Sequence, residues 1–339
     1  MKSHKRVPKP VVARVQTGPS QSVAVSPSQP LPAKNRIIVG LGELLWDLLP
    51  RGKELGGAPA NFAYMTSLLG DRGIVASRVG NDRLGNAAAR RLNRLGLLTS
   101  TLQVDSDHPT GTVKVEVDPN GQPKFEITES VAWDFFDWTP QWQVLADQAD
   151  AVCFGSLAQR SPQSRETIQR FLQAVRPNAL RVFDVNLRQE FYSAETLKDS
   201  IGAAQIMKVN QEELPIVARL LGCSYKSKEA SAQWIRRKYD VQLLCVTQGS
   251  EGSLLVSEKN QHQHPGFPVK VADTVGAGDA FTAGLVHYYL RGASLDEMNI
   301  AANRMGAWVA SEIGATPSPN TPLLRTIRLT GDSSAPPSG

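Results

Sequence analysis

The chain has 339 residues, enough for one large α/β domain or two smaller ones, and its 41% hydrophobic content supports a substantial core. The formal net charge is +5, but residues 1–36 contain seven Lys and Arg and no acid, which leaves −2 for the rest. This balance argues against a nucleic-acid surface on the folded part, and no apolar run approaches the ~20 residues of a membrane span.

Residues 1–35 are rich in Pro, Ser, Gln and Lys and poor in large apolar residues. Such a segment cannot bury enough surface to fold, so a disordered basic tail is predicted. A transit peptide would also be basic and acid-poor, but it should be amphipathic and contain fewer prolines, and a signal peptide would need an apolar segment. Residues 328–339 are rich in Ser and Pro and are predicted to be a mobile C-terminal tail.

A buried strand is predicted over residues 36–43, and the apolar stretch that follows contains a single acid, Asp47. A lone acid there is either a solvent-facing strand residue or a ligand-binding group. The sequence Leu55-Gly-Gly-Ala-Pro-Ala-Asn61 predicts a sharp turn and a helix start, because two glycines precede a proline. Asn61 lies at that start, where its amide either caps the helix or binds a hydroxyl-rich ligand.

Another strand is predicted over residues 73–80, followed by a basic helix that ends near Gly96. Residues 110–117 and 123–128 alternate apolar and polar side chains around Asp118-Pro-Asn-Gly121, which is typical of an antiparallel hairpin. The nearby Trp133, Trp138 and Trp142 either pack in the core or form a wall of a pocket.

From residue 149 onwards, apolar strands alternate with helices, which predicts a mostly parallel sheet covered on both faces. The predicted strands are residues 149–156, 180–186, 206–210 and 241–247, and the helices are 162–175, the stretch from Ala194, 212–221 and 228–239. Ligands bind such sheets at the carboxyl ends of the strands. Polar residues stand at these ends, namely Asp47, Asp184, Asn186, Arg188, Asn210 and Thr247.

The three cysteines, Cys153, Cys223 and Cys245, have neither metal-site spacing nor the pattern of a disulfide framework. Two of them lie in apolar runs and are predicted to be buried thiols. This usage suits a reducing compartment, so a cytoplasmic location is expected.

The stretch Asp273-Thr-Val-Gly-Ala-Gly-Asp279 is a glycine-rich loop that leads directly into a predicted helix. The first N–H groups of a helix lack intrahelical partners and lie at the positive end of its dipole, so the segment is an anion site. In phosphoryl transfer, such amides can hold the phosphate while a carboxylate accepts the proton of the attacking hydroxyl. Asp279 is placed for that second role; alternatively, it only caps a buried helix. Beside a helix N-terminus it should stay ionised and be a weak base.

Residues 36–327 resemble the PfkB, or ribokinase-like, carbohydrate kinases, most closely the bacterial fructokinases among them. Residues 56–61 with Gly70 and Gly80 are similar to the family's N-terminal signature, and residues 273–279 with Ala283-Gly284 to its C-terminal signature. Asn210-Gln-Glu-Glu213 and residues 246–252 are similar to its Asn-x-x-Glu motif and its nucleotide-side turn. The resemblance implies a three-layer αβα sandwich with a mostly parallel central sheet and a small β-sheet lid from about residues 44–58 and 108–130.

The resemblance also implies residue roles. Asp279 would be the catalytic base, with the amides of Gly276, Ala277, Gly278 and Asp279 as the anion hole for the γ-phosphate. The implied substrate-binding residues are Asp47, Gly56, Gly57, Asn61, Arg188 and Asp279, and the implied nucleotide-binding residues are Asn210, Thr247, Gly249, Gly252, Gly278 and Asn303. For Arg188 a salt-bridged surface position is the alternative.

The implied ligands are ATP, Mg²⁺ and a monovalent cation such as K⁺. Asn210 and Glu213 would hold Mg²⁺ through its waters, and the backbone of Asp273, Val275 and Gly314 would border the monovalent cation. The family often has Thr or Ser where Val275 stands, so a side-chain ligand is lost there while a carbonyl remains. The small sheets of two copies would pair, which implies a homodimer.

The function implied is ATP-dependent phosphorylation of a primary sugar hydroxyl, with fructose converted to fructose 6-phosphate as the first choice. The alternatives are 2-keto-3-deoxygluconate, ribose or a nucleoside as substrate. A non-catalytic sugar-binding regulator is a further alternative, which an altered Asp279 or a broken glycine loop would favour; the sequence has neither.

Deletion of residues 1–33 is expected to leave catalytic activity intact, because the predicted tail contributes no candidate site residue. Steady-state turnover of the truncated and full-length chains would measure this. A large loss of turnover in the truncated chain would mean that the tail acts in catalysis.

Overall fold

The computed structural model describes residues 35–49, 52–117, 123–319 and 322. The predicted N-terminal tail up to Lys34, the C-terminal tail 328–339 and the predicted turn 118–121 lie outside the described residues. Within these ranges, fourteen strands are formed: β1 (Ile37–Leu41), β2 (Leu45–Leu49), β3 (Gly52–Gly56), β4 (Arg72–Ala76), β5 (Arg78–Gly80), β6 (Gln103–Asp105), β7 (Gly111–Val117), β8 (Pro123–Ile127), β9 (Ala151–Phe154), β10 (Leu180–Asp184), β11 (Ile206–Asn210), β12 (Leu243–Thr247), β13 (Ser253–Ser257) and β14 (Gln261–His264).

Nine α-helices connect the strands in the same part of the chain. They are α1 (Ala58–Leu68), α2 (Arg83–Arg94), α3 (Pro140–Gln148), α4 (Pro162–Ala174), α5 (Ala194–Ala203), α6 (Glu213–Leu220), α7 (Lys228–Lys238), α8 (Ala277–Tyr289) and α9 (Leu295–Ala310). None of the described helices is both long and apolar enough to span a membrane.

Eight strands form the central sheet, in the order β14-β13-β12-β11-β10-β9-β1-β4. The six strands from β12 to β4 are parallel, and β13 and β14 are antiparallel additions at one edge. The parallel strands are almost wholly buried, as expected where helices cover both faces of a sheet.

Alternating side chains of the strands enter two separate cores, because successive residues of a strand point to opposite faces. One core joins residues such as Val39 and Met207 to helices α3–α7. The other joins residues such as Ile38 and Ile206 to α1, α2, α8 and α9. The predicted αβα sandwich is therefore confirmed.

A separate four-stranded sheet has the order β3-β2-β7-β8. The predicted hairpin is present as β7 and β8, which pair antiparallel, and β2 joins it parallel to β7. Trp133 is fully buried and its Nε1 lies 2.2 Å from where a Cβ on Gly111 would be, so the ring packs against the first residue of β7. Trp142 is also fully buried, with Phe136 and Phe171, and none of the three tryptophans lines the main cavity.

The prediction of one strand over residues 73–80 is wrong, because the chain forms two strands there. β4 pairs with β1 in the central sheet, whereas β5 leaves it after Ser77 and pairs with β6. The carbonyl of Ser77 accepts a hydrogen bond from the N–H of Gln103, which starts the second pairing. Helices α3 and α9 and strands β6 and β13 were not predicted.

Candidate active site

A cavity of about 1510 Å³ opens at the carboxyl ends of β10, β11 and β12. Its walls include Asp47 and Asn61 from the first signature region and Asp279 from the second. These segments meet because α1 packs against α8, with the start of each helix at the cavity. Residues far apart in the sequence therefore share one site.

The start of α8 is formed by Gly276, which adopts a left-handed conformation with φ 79° and has no capping side chain. A Cβ there would also lie 2.5 Å from that of Ala315, so only glycine fits. The Ala277 N–H donates to the Thr274 carbonyl at 3.2 Å, so this predicted anion-hole amide already takes part in a turn. The N–H groups in the first turn lack intrahelical acceptors, and the helix dipole favours an anion there.

Asp279 lies in this first turn, and its Oδ2 accepts a hydrogen bond from Asn61 Nδ2 at 2.8 Å. Burial, followed by the nearby charge of Asp184, raises the pKa of Asp279 to about 6, while Asn61, Lys208 and Arg188 act in the opposite direction. Burial therefore makes Asp279 a stronger base than its position at a helix N-terminus alone predicts. Asp279 is still mostly ionised at pH 7 and has more affinity for a proton than an ordinary aspartate.

A buried ion pair lies behind the start of α8. Lys208 Nζ is 3.0 Å from Asp184 Oδ1, and Thr282 Oγ1 donates to Asp184 Oδ2 at 2.9 Å. Burial opposes the charge of Lys208, but the carboxylates of Asp184, Glu213 and Asp279 raise its pKa overall. Its ammonium group lies 3.1 Å from where a Cβ on Gly278 would be, so a fixed positive charge supplements the helix dipole at the predicted anion site.

Asp47 lies on β2, where its carboxylate occupies space left by a glycine. A Cβ on Gly56, in the adjacent strand β3, would lie 2.3 Å from Asp47 Oδ2. Burial and the neighbouring charge of Glu54 raise the pKa of Asp47 to about 6, and Arg188 opposes this rise. Gly57 has φ 113°, and a Cβ there would lie 2.5 Å from the carbonyl oxygen of Glu43.

Arg188 is exposed on the loop after β10 and lines the cavity. Its Nη1 donates to the Leu187 carbonyl at 2.9 Å, and it forms no ion pair with any residue in the described ranges. Its charge lowers the pKa of both Asp47 and Asp279. These observations favour the cavity over a salt-bridged surface position.

Five of the six predicted nucleotide-binding residues line the cavity, and Gly252 does not. Asn210, Thr247 and Gly249 line the cavity at the carboxyl ends of β11 and β12, as does Gly278. Asn303 also lines it, but its amide nitrogen donates to Ser253 and Asn299.

Gly252 is not among the lining residues. It has φ 83°, and a Cβ there would lie 1.9 Å from the His264 carbonyl oxygen, so glycine is required for the turn before β13.

The Asn210–Glu213 pair holds the backbone in place. The Glu213 oxygens accept from the N–H groups of Leu187 and Asn210 at 2.8 and 3.0 Å, and Asn210 Oδ1 accepts from Glu212 and Glu213. No group of three or more His, Cys, Asp or Glu in the described ranges is arranged to hold a metal. The side-chain oxygens of Asn210 and Glu213 already accept these hydrogen bonds and have few lone pairs left for a metal. Such a pair fits Mg²⁺ that retains most of its water ligands.

Asp273, Val275 and Gly314 were predicted to border a monovalent cation, and the side chain of Asp273 connects the other two. Its Oδ1 accepts from the N–H of Val275 at 3.0 Å, and its Oδ2 accepts from the N–H of Gly314 at 3.1 Å. Asp273 and Val275 line the cavity, whereas Gly314 does not.

Two polar residues at the site were missed from the sequence. Lys208 lies inside a buried strand, where a charged residue is a signal because it needs a partner. Glu43 follows β1 and lines the cavity, and its only signal was an acid at the carboxyl end of a buried strand. Burial raises its pKa to about 7 and the repulsion of Asp279 adds to this rise, whereas hydrogen bonds from the backbone of Glu43 and Ala58 and the charge of Arg188 oppose it.

Comparison with known proteins connects this geometry to one family. The model of the pfkB family carbohydrate kinases matches residues 51–322. A fructokinase of Escherichia coli is 30% identical over 295 residues, which cover 81% of this chain and 93% of that protein.

Sugar kinases are also found among the solved structures that resemble this chain. A sugar kinase of Pyrococcus horikoshii in complex with ATP has a TM-score of 0.72 and 28% identity, covering 86% of this chain and 99% of that one. The fructokinase of Vibrio cholerae with fructose, ADP and a calcium ion has a TM-score of 0.73 and 26% identity, covering 86% and 98%. A double mutant of the same fructokinase contains fructose, ADP and a potassium ion, with a TM-score of 0.71 and coverage of 86% and 98% at 26% identity.

The family match spans most of the chain, and its fold, its two signature segments and the shared cavity agree with that match. The resemblance inferred from the sequence is thereby confirmed. This chain belongs to the pfkB family carbohydrate kinases and is a sugar kinase.

Proposed function

We propose that this sugar kinase transfers the γ-phosphate of ATP to a primary hydroxyl of fructose, giving fructose 6-phosphate. The observation that carries the proposal is the position of Asp279, which lies in the first turn of α8 and is hydrogen-bonded to Asn61 of α1 at 2.8 Å. One carboxylate thus borders both an anion site and a wall of polar groups suited to a sugar. The presence of fructokinases among the relatives supports fructose as the acceptor.

In this mechanism, Asp279 accepts the proton of the attacking hydroxyl, and Asn61 fixes the orientation of its carboxylate. Its raised pKa of about 6 helps, because a base is most effective when its pKa is near the working pH. The first-turn N–H groups of α8 and the ammonium group of Lys208 stabilise the charge that develops on the transferred phosphate. Proton transfer and charge stabilisation are therefore supplied by adjacent groups.

Sugar and nucleotide occupy different parts of the cavity in this proposal. Asp47, Gly56, Gly57 and Arg188 bind the sugar together with Asn61. Thr247, Gly249 and Asn303 lie along the nucleotide, and the backbone positions of Gly278 and Asn210 lie near its phosphates.

Asn210 and Glu213 would hold Mg²⁺ through its waters, and the ion would supply positive charge beside the phosphates. The potassium ion in a relative's structure supports a monovalent cation beside Asp273, Val275 and Gly314.

The small sheet acts as a lid that excludes water from the bound sugar and so limits ATP hydrolysis. We also propose a homodimer formed through this sheet, since within the described ranges its edge strands β3 and β8 each pair on one side only. Light scattering coupled to size-exclusion chromatography tests the dimer, and a monomer at working concentration would contradict it.

A coupled ADP-release assay over a panel of acceptors tests the substrate. Fructose, 2-keto-3-deoxygluconate, ribose and a nucleoside are compared at equal concentration, and fructose is expected to give the highest kcat/KM. A higher value with another acceptor would replace fructose as the substrate. Sugar binding without ADP release for any acceptor would favour a non-catalytic regulator.

A Gly56→Ala variant is expected to raise KM for the sugar by about ten-fold, the effect of weakening one hydrogen bond to a charged group. The added methyl group would lie 2.3 Å from Asp47 Oδ2 and displace that carboxylate from its position. Steady-state kinetics and the melting temperature are measured together.

Gly202→Ala is the matched control, because a Cβ at that helical position has no atom within 4 Å. An unchanged sugar KM in Gly56→Ala would contradict the role of Asp47.

A further inference from the structure

Glu43 is a buried acid in the cavity that the mechanism above does not use. It follows β1, lines the cavity and is only 3% exposed. Backbone N–H groups of Glu43 and Ala58 stabilise the charged form of its carboxyl group, but its Oε2 atom has no hydrogen-bond partner in the described part of the chain. A buried polar atom without a partner is rare in native structures and calls for a physical explanation.

The backbone around Glu43 is held by close contacts that need glycine. A Cβ on Gly42 would lie 3.0 Å from Pro59 Cγ, and one on Gly57 would lie 2.5 Å from the Glu43 carbonyl oxygen. Both glycines have positive φ, so the start of α1 can press against the Glu43 backbone. The carboxyl group is therefore placed in the cavity wall by the fold itself.

This arrangement costs free energy in the absence of a ligand. A buried carboxyl oxygen without a partner loses its hydration and gains nothing in return. The raised pKa of about 7, caused first by burial, reflects the same cost. A ligand group that hydrogen-bonds this carboxyl removes the deficit, and rotation about its last side-chain bond lets either oxygen reach the cavity.

The surrounding charges indicate what kind of ligand group it is. Asp279 repels a negative charge at Glu43 and Arg188 attracts it, and Asp47 and Asn61 line the same cavity. A phosphate oxygen would be repelled by these acids, whereas a hydroxyl can both donate to a carboxylate and accept from a carboxylic acid. The polar wall near Glu43 therefore suits a sugar hydroxyl.

We propose that Glu43 is a further substrate-contacting residue, whose carboxyl group hydrogen-bonds one hydroxyl of the bound sugar and selects for it. This inference rests on the proposed function in taking a sugar as the acceptor. A site that hydrogen-bonds a substrate hydroxyl discriminates strongly against analogues that lack it, because its own polar group is then left unpaired.

The test combines variants of Glu43 with deoxy analogues of the sugar. Glu43→Ala is expected to weaken sugar binding, measured calorimetrically without nucleotide, by about 10- to 100-fold, as for loss of a hydrogen bond to a charged group. KM for the sugar should rise by a similar factor while kcat changes less, and ATP affinity should be unchanged.

For one deoxy analogue, the wild type and Glu43→Ala should bind with equal affinity. For the other analogues, the variant should show its full loss. That pattern identifies the hydroxyl and separates a direct contact from general disruption.

Glu43→Gln keeps the shape and hydrogen-bonding ability of the side chain and is expected to recover most of the affinity. It also carries the test if Glu43→Ala does not fold. Glu166→Gln, which removes an exposed acid from α4 outside the cavity, is the matched control and should bind sugar as the wild type does.

Unchanged sugar affinity in Glu43→Ala would overturn the proposal. An equal loss for the parent sugar and every deoxy analogue would also overturn it, because only a structural role then remains. If the acceptor panel identifies a sugar other than fructose, the deoxy series of that sugar is used, so failure of the fructose assignment is distinguished from failure of the Glu43 contact.

Discussion

An Asp279→Asn variant is expected to lose about 10²- to 10⁴-fold in kcat, the usual contribution of a positioned general base. The amide has the shape of the carboxylate, but it cannot accept the proton of the attacking hydroxyl. Affinities for the sugar and for ATP should change little, because Asn61 and the first turn of α8 remain in place. Rapid-mixing measurement of the chemical step and calorimetric binding separate these two effects.

The pH dependence gives an independent check on the same residue. In the wild type, kcat at saturating sugar is expected to rise as pH increases through about 6, because Asp279 must lose its proton to act as a base. The variant should lack that rise. Turnover close to the wild-type value in Asp279→Asn would contradict the assignment of the base.

An Asp184→Ala variant is expected to lose about 3–5 kcal/mol of unfolding free energy, the usual effect of breaking a buried ion pair. The change leaves the ammonium group of Lys208 buried without its partner at 3.0 Å and removes one of the two acceptors of the Thr282 hydroxyl, which keeps the Gly278 carbonyl. Urea denaturation followed by circular dichroism measures the shift in the midpoint.

The exposed pair of Arg165 and Asp199 provides the matched control, with an N–O distance of 2.7 Å. Asp199→Ala should cost no more than about 1 kcal/mol, because solvent screens an exposed pair. A double variant, Asp184→Leu with Lys208→Met, should recover much of the lost stability but not the activity, since the charge behind α8 is gone. Equal losses of unfolding free energy in Asp184→Ala and Asp199→Ala would show that the buried pair contributes no more to stability than the exposed pair.

Local patterns in the sequence were sufficient to predict most of the fold. Buried parallel strands such as β11 are short apolar runs between amphipathic helices, and the β7–β8 hairpin alternates around a turn. Position 77 shows the limit of such patterns, because Ser77 and Arg78 interrupt the apolar residues only briefly, yet the chain changes sheets there. That change depends on the pairing of Ser77 with Gln103, which no local pattern contains.

The same distinction applies to the site. Asp279 and Asn61 lie in motifs with recognisable glycine spacing, so their meeting in one cavity could be anticipated. The burial of Glu43 could not, because it results from the start of α1 pressing on β1 from another part of the chain. The raised pKa of Asp279 likewise depends on burial and on Asp184, which lies on a different strand.

The hydrogen bond between Asn61 and Asp279 joins residues that are 218 positions apart. At the usual translation rate of about 5–20 residues per second, the second residue is synthesised on the order of ten seconds or more after the first. During that interval the nascent polypeptide lacks the first turn of α8, and with it both the proposed anion site and the proposed base. In the proposed mechanism, a nascent chain that ends before α8 therefore cannot transfer phosphate, even when its earlier strands and helices have formed.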